Sequence, residues 1–336
     1  MAMEYRRLGA SGVEISPICL GAMMFGDRTD ASEAQRIVDA AFDAGVNFID
    51  TADAYANGAS EQIVGAAIKP HRRSWILATK VGNPMTAKPH DGGLSRRWLF
   101  VACDDSLSRL RTDYIDIYYL HKDDIDTPIA ETVSAIGDLI RAGKIRYFGI
   151  SNYRGWRIAE VVNECEAQGV PSPIVCQPYY NLLNRMPEVE ILPACDHYGL
   201  GVAPYSPIAR GILTGKYAPG VVPDDSRVAR KDQRMMETEY RPESLAIAET
   251  LAAHAVRTGR SLLQFALAWL WANTLVTSVI AGPRTLAQFQ DYIDALGTPW
   301  DADDEVIVDS LVKPGHPSTP GYSDPQYPFY GRILAD

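Results

Sequence analysis

The chain lacks most of the features that would set it apart from an ordinary globular protein. No stretch approaches the roughly 20 apolar residues that span a bilayer. The opening MAMEYRRLGASGVEIS lacks the apolar core of a secretion signal, so a cytoplasmic protein without membrane association is expected. Cysteine is scarce: Cys19, Cys103, Cys165, Cys176 and Cys195 are odd in number, scattered and without a CxxC pair. That spacing offers neither a disulfide framework nor a zinc ligand set, and no metal is expected. Positive charge is short as well, since 32 Lys and Arg against 42 Asp and Glu leave a net charge of −10. Such a balance opposes nonspecific binding to nucleic acid and anionic lipid. The glycines never form GxGxxG, which removes the Rossmann mode of nucleotide binding. The nearest glycine-rich stretch, GILTGK from Gly211 to Lys216, is one residue short of a P-loop and is followed by Tyr217 where Ser or Thr is needed.

What is present is a rhythm. With 336 residues, 46% hydrophobic and 22% charged, the chain can bury a large core and carries no low-complexity tract. ICLG, NFID, WILAT, IDIYYL, YFGI, IVCQ, GVAPYS and VTSVIAG supply eight short strand candidates. Between them DASEAQRIVDAAFDAG, SEQIVGAAI, SRRWLFVACDDSLSRL, TPIAETVSAIGDLIRAG and YRGWRIAEVVNECEAQG space apolar residues three and four apart, as helices with one buried face require. Thr127 followed by Pro128 reads as an N-cap with proline in the first turn, and Gly45, Gly143 and Gly169 read as helix stops. Eight alternations without a linker predict one α/β domain over residues 1–336, a (β/α)8 TIM barrel. Two segments break the rhythm. TGKYAPGVVPDDSRVARKDQRMMETEYRPES, after the seventh strand, predicts a long mobile loop over the ligand face. The tail VKPGHPSTPGYSDPQYPFYGRILAD predicts irregular chain packed on the barrel through Tyr322, Tyr327, Phe329 and Tyr330.

Three of the strand runs stop at a chemically capable side chain. VNFID ends on Asp50 with Tyr55 five residues on, WILATK ends on Lys80, and IDIYYLH ends on His121. Parallel strands alternating with helices aim their carboxyl ends at one face, so these four groups are placed to converge. A phenol titrates near 10, and an adjacent cation such as Lys80 helps it give up a proton near neutral pH. Asp50 can hold the ammonium, and His121 can hydrogen-bond a substrate oxygen. The set suits carbonyl reduction; alternatively, Lys80 is an amine that could attack a carbonyl as a Schiff-base nucleophile.

The segments GVNFIDTADAY, ATK and YLH make the chain similar to the aldo-keto reductase family, a resemblance that runs from about Tyr5 to Leu296. It implies Asp50, Tyr55, Lys80 and His121 as the catalytic tetrad, NADPH as hydride donor, and a barrel with an N-terminal β-hairpin. YSPxxxGxLTGKY resembles the segment that cradles the cofactor pyrophosphate, which implies Tyr205, Ser206, Pro207, Ile208, Gly211, Leu213 and Lys216, with Tyr205 stacked on the nicotinamide. By the same resemblance Gly21 lines the cofactor, and Ser151, Asn152 and Gln177 bond its carboxamide. In IAGPRTLAQFQDY, with Gly282, the resemblance implies Arg284 at the 2′-phosphate, Gln288 toward the adenine and Asp291 at the base or ribose, while Lys216 and Arg227 reach the same phosphate. The family usually carries Glu-Asn where this chain has Asp291 and Tyr292.

Substrate choice is expected from the loops above the tetrad. Met23, Met24 and Phe25, with Val81, favour an apolar body beside Tyr55 and His121, and Lys122, Asp123 and Arg210 add charge able to select an anionic substituent. The PDDSR loop and QPYYN look closest to bacterial members related to potassium-channel β subunits. Those are often oligomeric, so a homo-oligomer is an open expectation here. That kinship supplies a second reading, a redox-sensing interaction module that binds NADP(H) with vestigial turnover.

Overall fold

The structure, a computed structural model, describes residues 3–217 and 221–328. It opens with a hairpin, β1 (Arg6–Arg7) antiparallel to β2 (Glu14–Ile15). Strands and helices then alternate: β3 (Ile18–Gly21), α1 (Ala31–Asp43), β4 (Phe48–Asp50), α2 (Ala59–Ile68), β5 (Ile76–Val81) and α3 (Arg96–Leu110). β6 (Ile115–Leu120), α4 (Ile129–Arg141), β7 (Ile145–Ser151), α5 (Gly155–Gln168), β8 (Val175–Gln177), α6 (Ile191–Tyr198) and β9 (Gly201–Val202) follow. The remaining elements are α7 (Gln233–Thr238), α8 (Pro242–Arg257), α9 (Leu262–Ala272), β10 (Val279–Ala281), α10 (Leu286–Asp294) and α11 (Ala302–Leu311). All eight strand candidates form strands, and the five amphipathic stretches form α1 to α5.

The chain divides into two compact units. The first comprises residues 3–179, 189–205 and 273–294 and holds every strand among the described residues. β10, β3, β4, β5, β6, β7, β8 and β9 lie side by side in that order, all parallel. The sheet closes through Val202 and Val276, where Thr277 N donates to Val202 O at 2.8 Å, and through Ile280 N to Pro204 O at 3.1 Å. This is the (β/α)8 barrel. Its interior is packed with Cys19, Phe48, Ala78, Ile117, Tyr119, Val175, Ala203 and Ile280, and the hairpin adds Leu8 and Ile15 to the same core. Burying each large apolar side chain contributes roughly 1.5–3 kcal/mol.

The helix boundaries follow local chemistry. Asp30 caps α1 by accepting from Glu33 N at 2.9 Å, and Ser95 caps α3 from Trp98 N at 3.3 Å. Gly45, Gly143 and Gly169 end their helices with φ of +85°, +72° and +64°. One expected cap differs. Pro128 itself occupies the cap position of α4, and the Thr127 hydroxyl donates to Asp124 Oδ2 at 2.8 Å, because Asp124 gathers that loop and outcompetes the helix end.

The second unit, residues 180–188, 206–217, 221–272 and 295–328, contains α7, α8, α9 and α11. The segment expected as a plain loop after the seventh strand instead carries α7 and the first turn of α8. Six residues are too few to show a helical period, and α7 is held by Asp232, which accepts from Met235 N at 2.8 Å, and by Arg234, which pairs with Asp324 at 2.7 Å. The tail has irregular structure and packs within this unit: Arg241 lies 3.7 Å from the Tyr322 ring centre and donates to Ser318 Oγ at 3.0 Å. Residues 218–220 of the long segment, and Phe329 and Tyr330 of the tail, lie outside the described residues.

Candidate active site

The first unit brings together the four groups that the strand endings point to. Asp50 closes β4, Lys80 is the penultimate residue of β5, His121 follows β6, and Tyr55 opens the turn that leads into α2. Parallel register sets Asp50 against Gly21 on one side and Ala78 on the other. Lys80 has no exposed surface, and its Nζ makes three contacts: 2.5 Å to Asp50 Oδ2, 2.9 Å to Thr51 O and 3.2 Å to Tyr55 Oη. An ammonium has three protons to give, so this one is fully used. The other Asp50 oxygen accepts from Gln177 Nε2 at 3.1 Å.

Burial works against the charge of Lys80, but Asp50 and Tyr55 more than offset it and hold the ammonium above its ordinary range. His121 is pushed the other way. Burial, with the Lys80 and Lys122 charges added, lowers it well below the usual imidazole range, so the ring is neutral. Its plane stands edge-on to Tyr55, ring centres 5.8 Å apart, and its Nδ1 lies 3.0 Å from Asn83 Nδ2.

Around this core the neighbouring strand ends supply amides and a phenol. Asn152, with φ of +60°, donates to His121 O at 2.9 Å and Ser151 Oγ at 3.0 Å and accepts from Tyr205 Oη at 2.8 Å. Ser151 Oγ donates to Gln177 O at 2.8 Å, and the Tyr205 ring stacks on Tyr179 with centres 5.5 Å apart. Of the residues expected to line a substrate, Met23 is 37% exposed whereas Phe25 is fully buried, so Phe25 is a core residue here. Asp123 is tied to Arg157 at 2.9 Å, and Lys122 is half-buried.

The segment after β10 also lies in the first unit. The Arg284 carbonyl accepts from Thr29 Oγ1 at 2.8 Å, and Arg284 N donates to Gln288 Oε1 at 2.9 Å. The Gln288 oxygen, part of a residue expected to approach a base, thus ties back to the chain just before α10, while Thr285 Oγ1 caps that helix by accepting from Gln288 N at 3.3 Å. Asp291 is exposed, and Tyr292 is buried, where desolvation raises its phenol and a hydrogen bond with the Gly282 backbone draws it partly back.

In the second unit, Ser206, Ala209, Arg210 and Gly211 have φ of +55°, +47°, +49° and +104°. This curled loop is pinned by Asn181 Nδ2 donating to Ser206 O at 2.9 Å and by Gly211 N donating to Ile208 O at 2.8 Å. A Cβ at Gly211 would lie 2.8 Å from Lys216 Nζ, so glycine lets the lysine fold back over the loop. Pro207 and Leu213 are buried. Arg227 is depressed by burial and by the nearby charges of Arg210 and Arg230, against the pull of Asp232, so cations are gathered here.

Sequence reasoning missed Asn83 and Asn181. Asn83 follows a glycine and reads as a turn residue, and Asn181 sits in QPYYN with no mark of what it would hold; only the fold shows their partners.

The barrel and its site belong to a class that sequence comparison identifies. The sequence profile described as the aldo/keto reductase family matches residues 17–313, and the chain belongs to that family of oxidoreductases. Among its relatives is a probable voltage-gated potassium channel subunit beta of Arabidopsis thaliana, 37% identical over 302 residues, covering 88% of this chain and 91% of that protein. An L-glyceraldehyde 3-phosphate reductase of Escherichia coli (strain K12) is 34% identical over 308 residues, 88% of each chain. The uncharacterized oxidoreductase YrpG of Bacillus subtilis is 35% identical over 335 residues, 96% of this chain and the whole of that protein.

Proposed function

We propose that the protein reduces an aldehyde or ketone to the alcohol with NADPH. The observation that carries this reading is the Lys80 ammonium shared between Asp50 at 2.5 Å and the Tyr55 hydroxyl at 3.2 Å. Tyr55 gives its proton to the carbonyl oxygen, and the ammonium stabilises the phenolate left behind. Asp50 keeps the lysine charged and aimed, and Gln177 keeps Asp50 aimed. His121, neutral and half-buried, offers the carbonyl oxygen a hydrogen bond beside the phenol.

NADPH, when bound, supplies the hydride that the carbonyl carbon receives, a step no side chain performs. The residues fit such a group. In the first unit Ser151, Asn152, Gln177 and the Tyr205 ring suit a flat amide-bearing ring, Gly282 leaves open space, and Arg284, Gln288 and Asp291 suit a phosphorylated adenosine. In the second unit the left-handed loop Ser206 to Leu213, with Lys216, Arg210 and Arg227, suits phosphate oxygens.

A Schiff-base role for Lys80 is disfavoured, because an amine held protonated with every N–H engaged is a poor nucleophile. Kinship with a potassium channel subunit beta favours, as the second reading, an NADP(H)-bound interaction module. NADPH oxidation with 4-nitrobenzaldehyde, methylglyoxal and succinic semialdehyde separates the two, since tight cofactor binding without turnover on any of them selects the module. Tyr55→Phe is expected to lower turnover at least about a hundredfold with NADPH affinity unchanged. A near wild-type rate would refute the role given to Tyr55.

A further inference from the structure

β5 and β6 are still paired where the chemistry begins, since His121 N donates to Val81 O at 2.8 Å. The next residue, Gly82, has φ of +126°, and its carbonyl accepts from Gly93 N at 3.1 Å. No side chain tolerates that φ easily, so glycine turns the chain sharply and delivers Asn83 to the His121 ring. Asn83 Nδ2 ends 3.0 Å from His121 Nδ1, half-buried.

The contact matters because of what surrounds the ring. Lys80 and Lys122 are the charged groups acting on it, and both are cations. They and burial keep the imidazole neutral, so it carries one proton, and the nitrogen that holds it decides what the ring can do. With the proton on Nε2 the ring donates from that side; with the proton on Nδ1, Nε2 presents a lone pair that repels a carbonyl oxygen.

We propose that Asn83 is a positioning residue: its amide N–H donates to His121 Nδ1 and fixes the tautomer whose proton sits on Nε2, where a substrate carbonyl oxygen accepts it. The inference rests on the reading of His121 as the hydrogen-bond donor to that oxygen. It extends the catalytic arrangement to a loop residue that acts through His121.

The test uses the full chain labelled with 15N-histidine. Its six histidines give ring signals, and the one lost in His121→Gln belongs to His121. The wild-type protein is expected to show Nδ1 unprotonated and Nε2 protonated. Asn83→Asp puts an acceptor where the donor stood, so the proton moves toward Nδ1 and kcat falls about a hundredfold, while Asn83→Leu mixes the tautomers and costs about tenfold, both with NADPH affinity unchanged. A wild-type ring protonated on Nδ1 overturns the proposal whatever the rates. So does Asn83→Leu with unaltered ring signals and kcat. If instead Tyr55→Phe keeps its rate, the reductase reading fails while the ring signals still judge Asn83.

Discussion

Lys80 and Asp50 form an ion pair at 2.5 Å with side chains 0% and 3% exposed. Desolvating two charges costs several kcal/mol each, and mutual attraction repays this only while both partners are present. Lys80→Met leaves the Asp50 carboxylate buried without its partner, and a loss of about 3–5 kcal/mol in urea unfolding at pH 7 is expected. Burial already raises the Asp50 carboxyl against the pull of Lys80, so an unchanged midpoint would show that Asp50 takes up a proton or meets water once the lysine is lost.

Asp53 predicts a dependence on pH. Its carboxyl is buried, Oδ1 accepts from Ala54 N at 2.6 Å, and Oδ2 has no hydrogen-bond partner among the described residues. Burial first, then Glu61, raise it to about 7, against weaker pulls from Ala54, Arg109 and Lys80. A carboxyl raised by folding contributes stability that is complete below the unfolded value near 4 and is lost as pH climbs through the folded value. Asp53→Asn keeps the Ala54 contact and cannot ionise. It is expected to be more stable than the wild type at pH 8, on the order of 2–4 kcal/mol, with the gap closing toward pH 4. Parallel unfolding curves across that range would contradict the raised carboxyl.

His121 predicts an absence. Because burial and two lysines keep the imidazole neutral, no limb near pH 6.5 is expected in kcat/KM for carbonyl reduction between pH 6 and 8. A clear inflection near 6.5 that vanishes in His121→Gln would place a titrating imidazole in the reaction.

Arg284 bears on which nicotinamide cofactor is used. Its backbone is fixed by Thr29 and Gln288, and a planar guanidinium matches the geometry of a phosphate. Arg284→Ala is expected to weaken NADPH binding at least about tenfold and NADH binding little, since only the first carries the 2′-phosphate. Equal losses, measured by fluorescence titration, would remove Arg284 from that role.

The barrel was legible because its strands are short apolar runs and its early helices are strongly amphipathic. Asp50, Lys80 and His121 were legible for the same reason, as polar residues that end apolar runs. Phe25 was not, since an aromatic in a strand-end loop reads alike whether it faces a ligand or the core. α7 was hidden because it is shorter than two turns. Asn83 was hidden by Gly82: the pair looks like punctuation, and only the approach of the strand β6 ending shows that the turn has a target.

Leu8 and Ile15 plug the cylinder at the beginnings of its staves. On the reductase reading, substrate and product would therefore share one doorway, past the carboxyl ends, and lengthening the Gly9 to Gly12 bend at the stopped end would leave that traffic untouched.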